Sequence, residues 1–176
     1  SSRTSTTPAT MFPLLASKGG TVYKWRVDVP NNSTDGSNYV VIKDESTSPT
    51  TYQLYLHMAQ YTMPENLRVV GAQVLQGQFI GNVDDTGYSS GHHLHFHVHT
   101  NYASYWGNSV DIRFDEVDTN DGVPRTCDEV DRFPEYGTQC HRAISGVREV
   151  NQYNSENFGA FPPTGDPIMP STGDVI

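Results

Sequence analysis

Apolar and polar positions alternate with a period of two along much of the first 115 residues, the signature of half-buried β-strands. Residues 20–27 (GTVYKWRV), 38–42 (NYVVI) and 51–58 (TYQLYLHM) read as strands, separated by a turn-rich loop at 30–37 and a Ser/Thr/Pro loop. Shorter strands are expected at 67–70 and 78–83, with Gly71, Gly77, Gly81 and Gly87 as punctuation, then at 93–99 and 109–114. No window sustains a 3.6-residue apolar period beyond two turns, so the pattern predicts a mostly β, antiparallel domain. Residues 1–12 read as a polar N-terminal arm and 13–118 as the folded domain. A loop-rich extension over 119–160, with one short helical turn at 126–136, precedes a Pro/Gly-rich tail at 161–176.

One strand stands out. In 90–99 (SGHHLHFHVH), alternation sends Leu94, Phe96 and Val98 to one face and His93, His95, His97 and His99 to the other. Imidazole is the commonest metal ligand and the usual acid–base group near neutral pH, so four imidazoles on one strand face suggest a metal or proton-transfer site. A polar strand face that happens to use His and a pH-responsive His cluster are the rival readings. A purification tag would lack the interleaved apolar residues.

The surrounding motifs give this strand a context. The stretch 71–81 (GAQVLQGQFIG), the loop 85–91 (DTGYSSG) and the strand segment 93–96 (HLHF) follow one another. Upstream lie YVVI at 39–42 and LYLH at 54–57. Together they resemble the lysostaphin/LytM-type zinc metallopeptidases over residues 13–114. The resemblance implies an antiparallel sheet domain of the lysostaphin-like type that hydrolyses peptide cross-links of peptidoglycan. It implies His95 as a zinc ligand and His57 and His93 as the catalytic histidines, which handle the proton of an activated water and steady the oxyanion. His97, Asp84 and Asp85 are possible auxiliary groups.

In one respect the chain departs from that family. Its other two ligands come from a His-x-x-x-Asp motif just before the first core strand, yet no His precedes His57 and the first Asp is Asp28. At the family spacing Ser1 and Ser5 would stand there, and a hydroxyl is no zinc ligand at neutral pH. Three explanations stay open: the ligand motif lies upstream of this piece, the site is degenerate, or a rewired site combines His57, His93 or His95 with His97 or the Asp84/Asp85 pair. The alternative function is therefore a non-catalytic extracellular structural or binding module on the same fold.

Composition narrows the partners. Eleven Lys and Arg against 20 Asp and Glu give a net charge of −9, which disfavours nucleic acid and polyanionic wall polymers. No apolar run reaches the ~20 residues of a membrane span. The expected partner is peptidoglycan or another extracellular peptide or glycan, self-association is allowed, and the expected location is extracytoplasmic. Cys127 and Cys140 would form a disulfide in an exported protein, worth about 3 kcal/mol for so short a loop, and two unrelated thiols in the cytosol. Asn31 and Asn32 begin overlapping glycosylation sequons. The acidic run 118–122 with Glu129 faintly resembles a calcium loop, but Asx-turn chemistry accounts for it, and calcium is not expected. His141 reads as a loop residue, and the Tyr-rich stretches read mainly as sheet-face residues.

Overall fold

The computed structural model describes residues 11–89, 91–115 and 122. Residues 11–110 belong to one compact unit; Asp111–Asp115 and Gly122 belong to a second, in which the Phe114 N–H donates to the Gly122 carbonyl (2.8 Å). The first unit is built from strands β1 (Phe12–Leu15), β2 (Gly20–Arg26), β3 (Asn38–Asp44), β4 (Thr51–Met58), β5 (Gln73–Val74), β6 (Phe79–Val83) and β7 (His95–His99). All ladders are antiparallel, in the order β1-β6-β4-β3-β2-β5, with β7 also on β4. The mostly β, antiparallel architecture read from the alternation is the one observed.

Alternation works as expected in the central strands. Val40 and Ile42 of β3 and Tyr55 of β4 face a core shared with Val22, Met58, Met63, Leu67, Ile80 and Val83, against which Leu94 and Phe96 pack. On the opposite face Val41, Tyr52, Leu54 and Leu56 form a second apolar layer flanked by Tyr23 and Tyr39. Fully burying one such aliphatic side chain contributes about 1.5–3 kcal/mol, so both faces stabilise the sheet.

Two local expectations fail, and one short strand was not anticipated. Residues 67–70 do not form a strand. After Pro64 the chain enters a 3₁₀ helix, Glu65–Leu67, with Leu67 N–H and Arg68 N–H donating to the Pro64 and Glu65 carbonyls. Only Leu67 is buried there, while Val69 and Val70 are largely exposed, so no second apolar face exists to hold a strand. Residues 109–114 give a single bridge, His99 to Ser109, in place of a closing strand. The two-residue β5, paired with Gly20 and Thr21, has too short a pattern to read in advance. Cys127, Cys140, His141, the helical turn at 126–136, most of the acidic 118–122/Glu129 stretch and the tail at 161–176 lie outside the described residues.

The neighbours of β4 position the histidines. On one side β4 pairs with β3 throughout. On the other side it pairs with β7 from Tyr52 to Leu56, and then with β6 through Met58 and Val83. His57 stands where β4 changes partner. It is also the extra residue of a β-bulge, because Asn38 pairs with Met58 and Tyr39 with Leu56.

Candidate functional site

Simple alternation would send His57 the same way as Tyr55, into the core. The bulge prevents this. His57 adopts φ +64°, in the left-handed region, which re-aims its side chain toward the histidine face of β7. Its ring centroid then lies 4.6 Å from that of His93 and 6.1 Å from that of His95. A buried polar clip holds the bulge. Asn38 accepts from Val29 N–H (2.8 Å) and donates to the Val29 and Met58 carbonyls (2.8 and 3.1 Å), while Thr86 Oγ1 donates to the Met58 carbonyl (2.8 Å).

The orientation of each imidazole is set by what its nitrogens touch. A carbonyl can only accept, so His57 Nδ1 carries a proton and donates it to the Thr86 carbonyl (2.7 Å), which leaves Nε2 with a free lone pair. His93 Nδ1 likewise donates to the Gly91 carbonyl (2.9 Å), with Ser89 Oγ at 3.3 Å. His95 Nε2 and His97 Nδ1 share a hydrogen bond (3.0 Å). His99 Nε2 donates to the Tyr105 carbonyl (3.1 Å), and its Nδ1 accepts from Asn101 N–H (3.1 Å).

Burial disfavours the charged form of His57, His95, His97 and His99. Burial, then the neighbouring His93, lower the His57 value against the opposing pull of the Thr86 carbonyl and Asp85. Burial lowers His95, helped by His57 and His93. Burial and the flanking His95 and His99 bring His97 down to about 4. Trp106 closes this end of the face, with its ring 4.6 Å from His97 and 5.0 Å from His95. Beyond it Tyr105 stacks on Tyr39 (4.5 Å), Tyr52 stacks on His99 (5.5 Å), and Tyr23 Oη donates to the Tyr102 carbonyl. The face is therefore a band of imidazole and aromatic rings over β4, β7 and the segment 101–107.

The predicted site residues fall into two groups. His57, His93, His95 and His97 come together on the band. Asp84 and Asp85 lie beside it, in the loop that leaves β6, where Asp84 N–H donates to the His57 carbonyl (2.8 Å). Sequence reasoning missed His92, whose Nε2 lies 2.7 Å from Asp84 Oδ1. It also missed Trp106, and the Asn38 and Thr86 clip, which no local pattern announces. The doublet His92-His93 was a usable signal, since only one member of it can point to the strand's polar face.

A family model described as Peptidase family M23 matches residues 5–111, more than half of the chain. This chain belongs to peptidase family M23. No solved structure matches it. The M23 assignment is the family whose motifs surround the histidine strand, and its members are typically zinc-dependent.

Among the described residues no three-ligand group forms around His95. His95, the ligand that the resemblance implies, stands on the band, and residues 1–10 contain no His, Cys, Asp or Glu. Asp28, the first acid, is exposed and engaged with Arg26 Nε (3.0 Å). Among the described residues only Asp84, Asp85 and His92 bring three ligand-type atoms within 4.8 Å of one another.

Proposed function

We propose that this M23 domain engages the short peptides of extracytoplasmic peptidoglycan along the imidazole and aromatic band, and that the 176-residue chain holds only the proton-transfer part of a peptidase site. One observation carries the reading: His57 and His93 have ring centroids 4.6 Å apart, each with Nδ1 tied to a backbone carbonyl, beside His95, which the family resemblance implies as a ligand. Zinc supplies, in a complete site of this family, an acidified water and a Lewis acid for the scissile carbonyl. With His95 the one implied ligand among the described residues, those residues do not by themselves assemble that chemistry, since each ligand carries a large share of the ~10–16 kcal/mol of a well-made zinc site.

What remains is binding and proton handling. The Nε2 lone pairs of His57 and His93 can each accept a hydrogen bond or a proton from a group held against them. The Tyr39, Tyr105 and Trp106 rings offer flat apolar surface for an extended chain of small residues. The net charge of −9 favours the peptide part of the wall over its polyanionic polymers.

The hydrolytic reading, in which His57 and His93 serve a zinc held by His95, is favoured by the same pairing of tautomers and is separated by one experiment. The chain is incubated with purified peptidoglycan and equimolar zinc; co-sedimentation and release of new amino termini are measured. Co-sedimentation that His57→Ala and Trp106→Ala weaken, with no release above the blank, is expected. Zinc-dependent release that His95→Ala abolishes overturns the proposal in favour of hydrolysis, and a wild-type chain that stays in the supernatant overturns both.

A further inference from the structure

We propose that Asp84, Asp85 and His92 bind one divalent first-row transition-metal ion, at a site distinct from the histidine strand and independent of the peptide-binding reading. One nitrogen and two carboxylate oxygens lie within 4.8 Å of one another. Ligand atoms around a tetrahedral zinc, at about 2.0–2.2 Å from the ion, are separated by roughly 3.3–3.6 Å. Closing that difference asks for side-chain rotation of Asp85 and His92, both only half-buried, about a fixed Asp84. The ion would replace the present 2.7 Å contact between His92 Nε2 and Asp84 Oδ1.

The charge balance also asks for a dication. Asp84 is 3% exposed, and the half-buried Asp85 offers a second carboxylate beside it. A protonated imidazole can neutralise one of the two carboxylates; a divalent ion neutralises both. The donor set of one imidazole and two carboxylates suits zinc and its first-row neighbours. Calcium takes 6–8 oxygens and magnesium an all-oxygen octahedron, which this set does not provide.

The frame is already in place. Asp84 follows β6 directly, its N–H fixed on His57, and Asp85 Oδ1 accepts from Asn32 N–H (3.0 Å). Gly87 N–H donates to the Ser33 carbonyl (2.7 Å), so the first half of the loop is anchored to the 30–37 turn. His92 comes from the loop's far end, next to His93. A bound ion therefore joins the two ends of the loop and fixes the approach to the histidine strand.

The test uses zinc alone. The full chain is stripped with chelator and titrated calorimetrically at pH 7, alongside Asp85→Asn and His92→Gln, with near-ultraviolet circular dichroism as the folding check. Asp85→Asn keeps the acceptor for Asn32 N–H, and if either variant does not fold the other decides. One ion per chain is expected, with affinity at least ten-fold weaker in each variant and changed less than two-fold in His95→Gln. Cobalt(II) in place of zinc should show d–d absorption that both variants lose. Absence of binding, binding that neither variant weakens, or binding that only His95→Gln weakens would each overturn the site.

Discussion

Replacing Asn38 with Ala should destabilise the domain far more than one buried polar residue suggests. Asn38 is fully buried, and its side chain satisfies Val29 N–H, the Val29 carbonyl and, jointly with Thr86 Oγ1, the Met58 carbonyl. Alanine leaves both Val29 groups buried without those partners, while Met58 keeps Thr86. An orphaned buried group costs about 1–3 kcal/mol, so the sum is roughly 2–6 kcal/mol. A loss near 3 kcal/mol lowers the melting temperature of a domain this size by about 12–24 °C. Urea denaturation of wild type, Asn38→Ala and Asn38→Asp at pH 7 measures it. The Asp variant keeps the acceptor for Val29 N–H but turns a carboxylate toward two carbonyls, and should be no more stable than the Ala variant. A cost under about 1 kcal/mol for Asn38→Ala, at unchanged denaturant slope, would refute the claim that this clip holds the bulge that presents His57.

Other consequences are smaller or more local. At φ +64° any residue with a Cβ bears about 1–2 kcal/mol of strain, so His57→Gly should be about 1 kcal/mol more stable than His57→Ala by thermal melting. Equal stability would mean that the bulge is not strained. Gly87 has φ +90°, and a Cβ there would overlap Ser37 Oγ, so Gly87→Ala should cost about 2–4 kcal/mol in urea denaturation; a neutral effect would contradict the packing of the loop on the 30–37 turn. Burial lowers the His99 value in the fold, and its Nδ1 is already occupied by Asn101 N–H. The unfolded chain therefore takes up that proton first: the stability held by neutral His99 is complete above about pH 6.5 and lost as pH falls from there toward the lowered native value. His99→Gln should flatten the fall in unfolding free energy between pH 7.5 and pH 5, and an unchanged slope would refute this assignment.

Alternation alone made the sheet legible, because β3, β4 and β7 each bury two faces whose parity can be counted from Val40, Leu54 or Phe96. The parity of His95, His97 and His99 was readable for the same reason, whereas His93, expected in the strand, precedes β7 and lies on the band beside His57. His57 was not readable by that rule. Its parity places it with Tyr55, and only a bulge set by Asn38, from another strand, brings it to the band; the flanking LYLH motif named it through resemblance. Residues 67–70 misled because Leu, Val and Val suit strands when they have a partner, and here Pro64 and the Arg68 guanidinium on the Tyr61 and Met63 carbonyls shape a turn instead. Asp84, Asp85 and His92 could not be joined from sequence, since a loop closes between them and its geometry depends on contacts with Asn32, Ser33 and His57.

The central claim is that His57 and His93 present free Nε2 atoms to a peptide. Proton–carbon spectra of the chain, with ¹³C-labelled histidine, are recorded while a soluble peptidoglycan peptide is added. Saturable shifts confined to the ring signals of His57, His93 and their neighbour His95, with the peptide intact at the end, are the predicted result. Ring signals that stay in place while backbone signals far from the band move, or a peptide found cleaved, would contradict it.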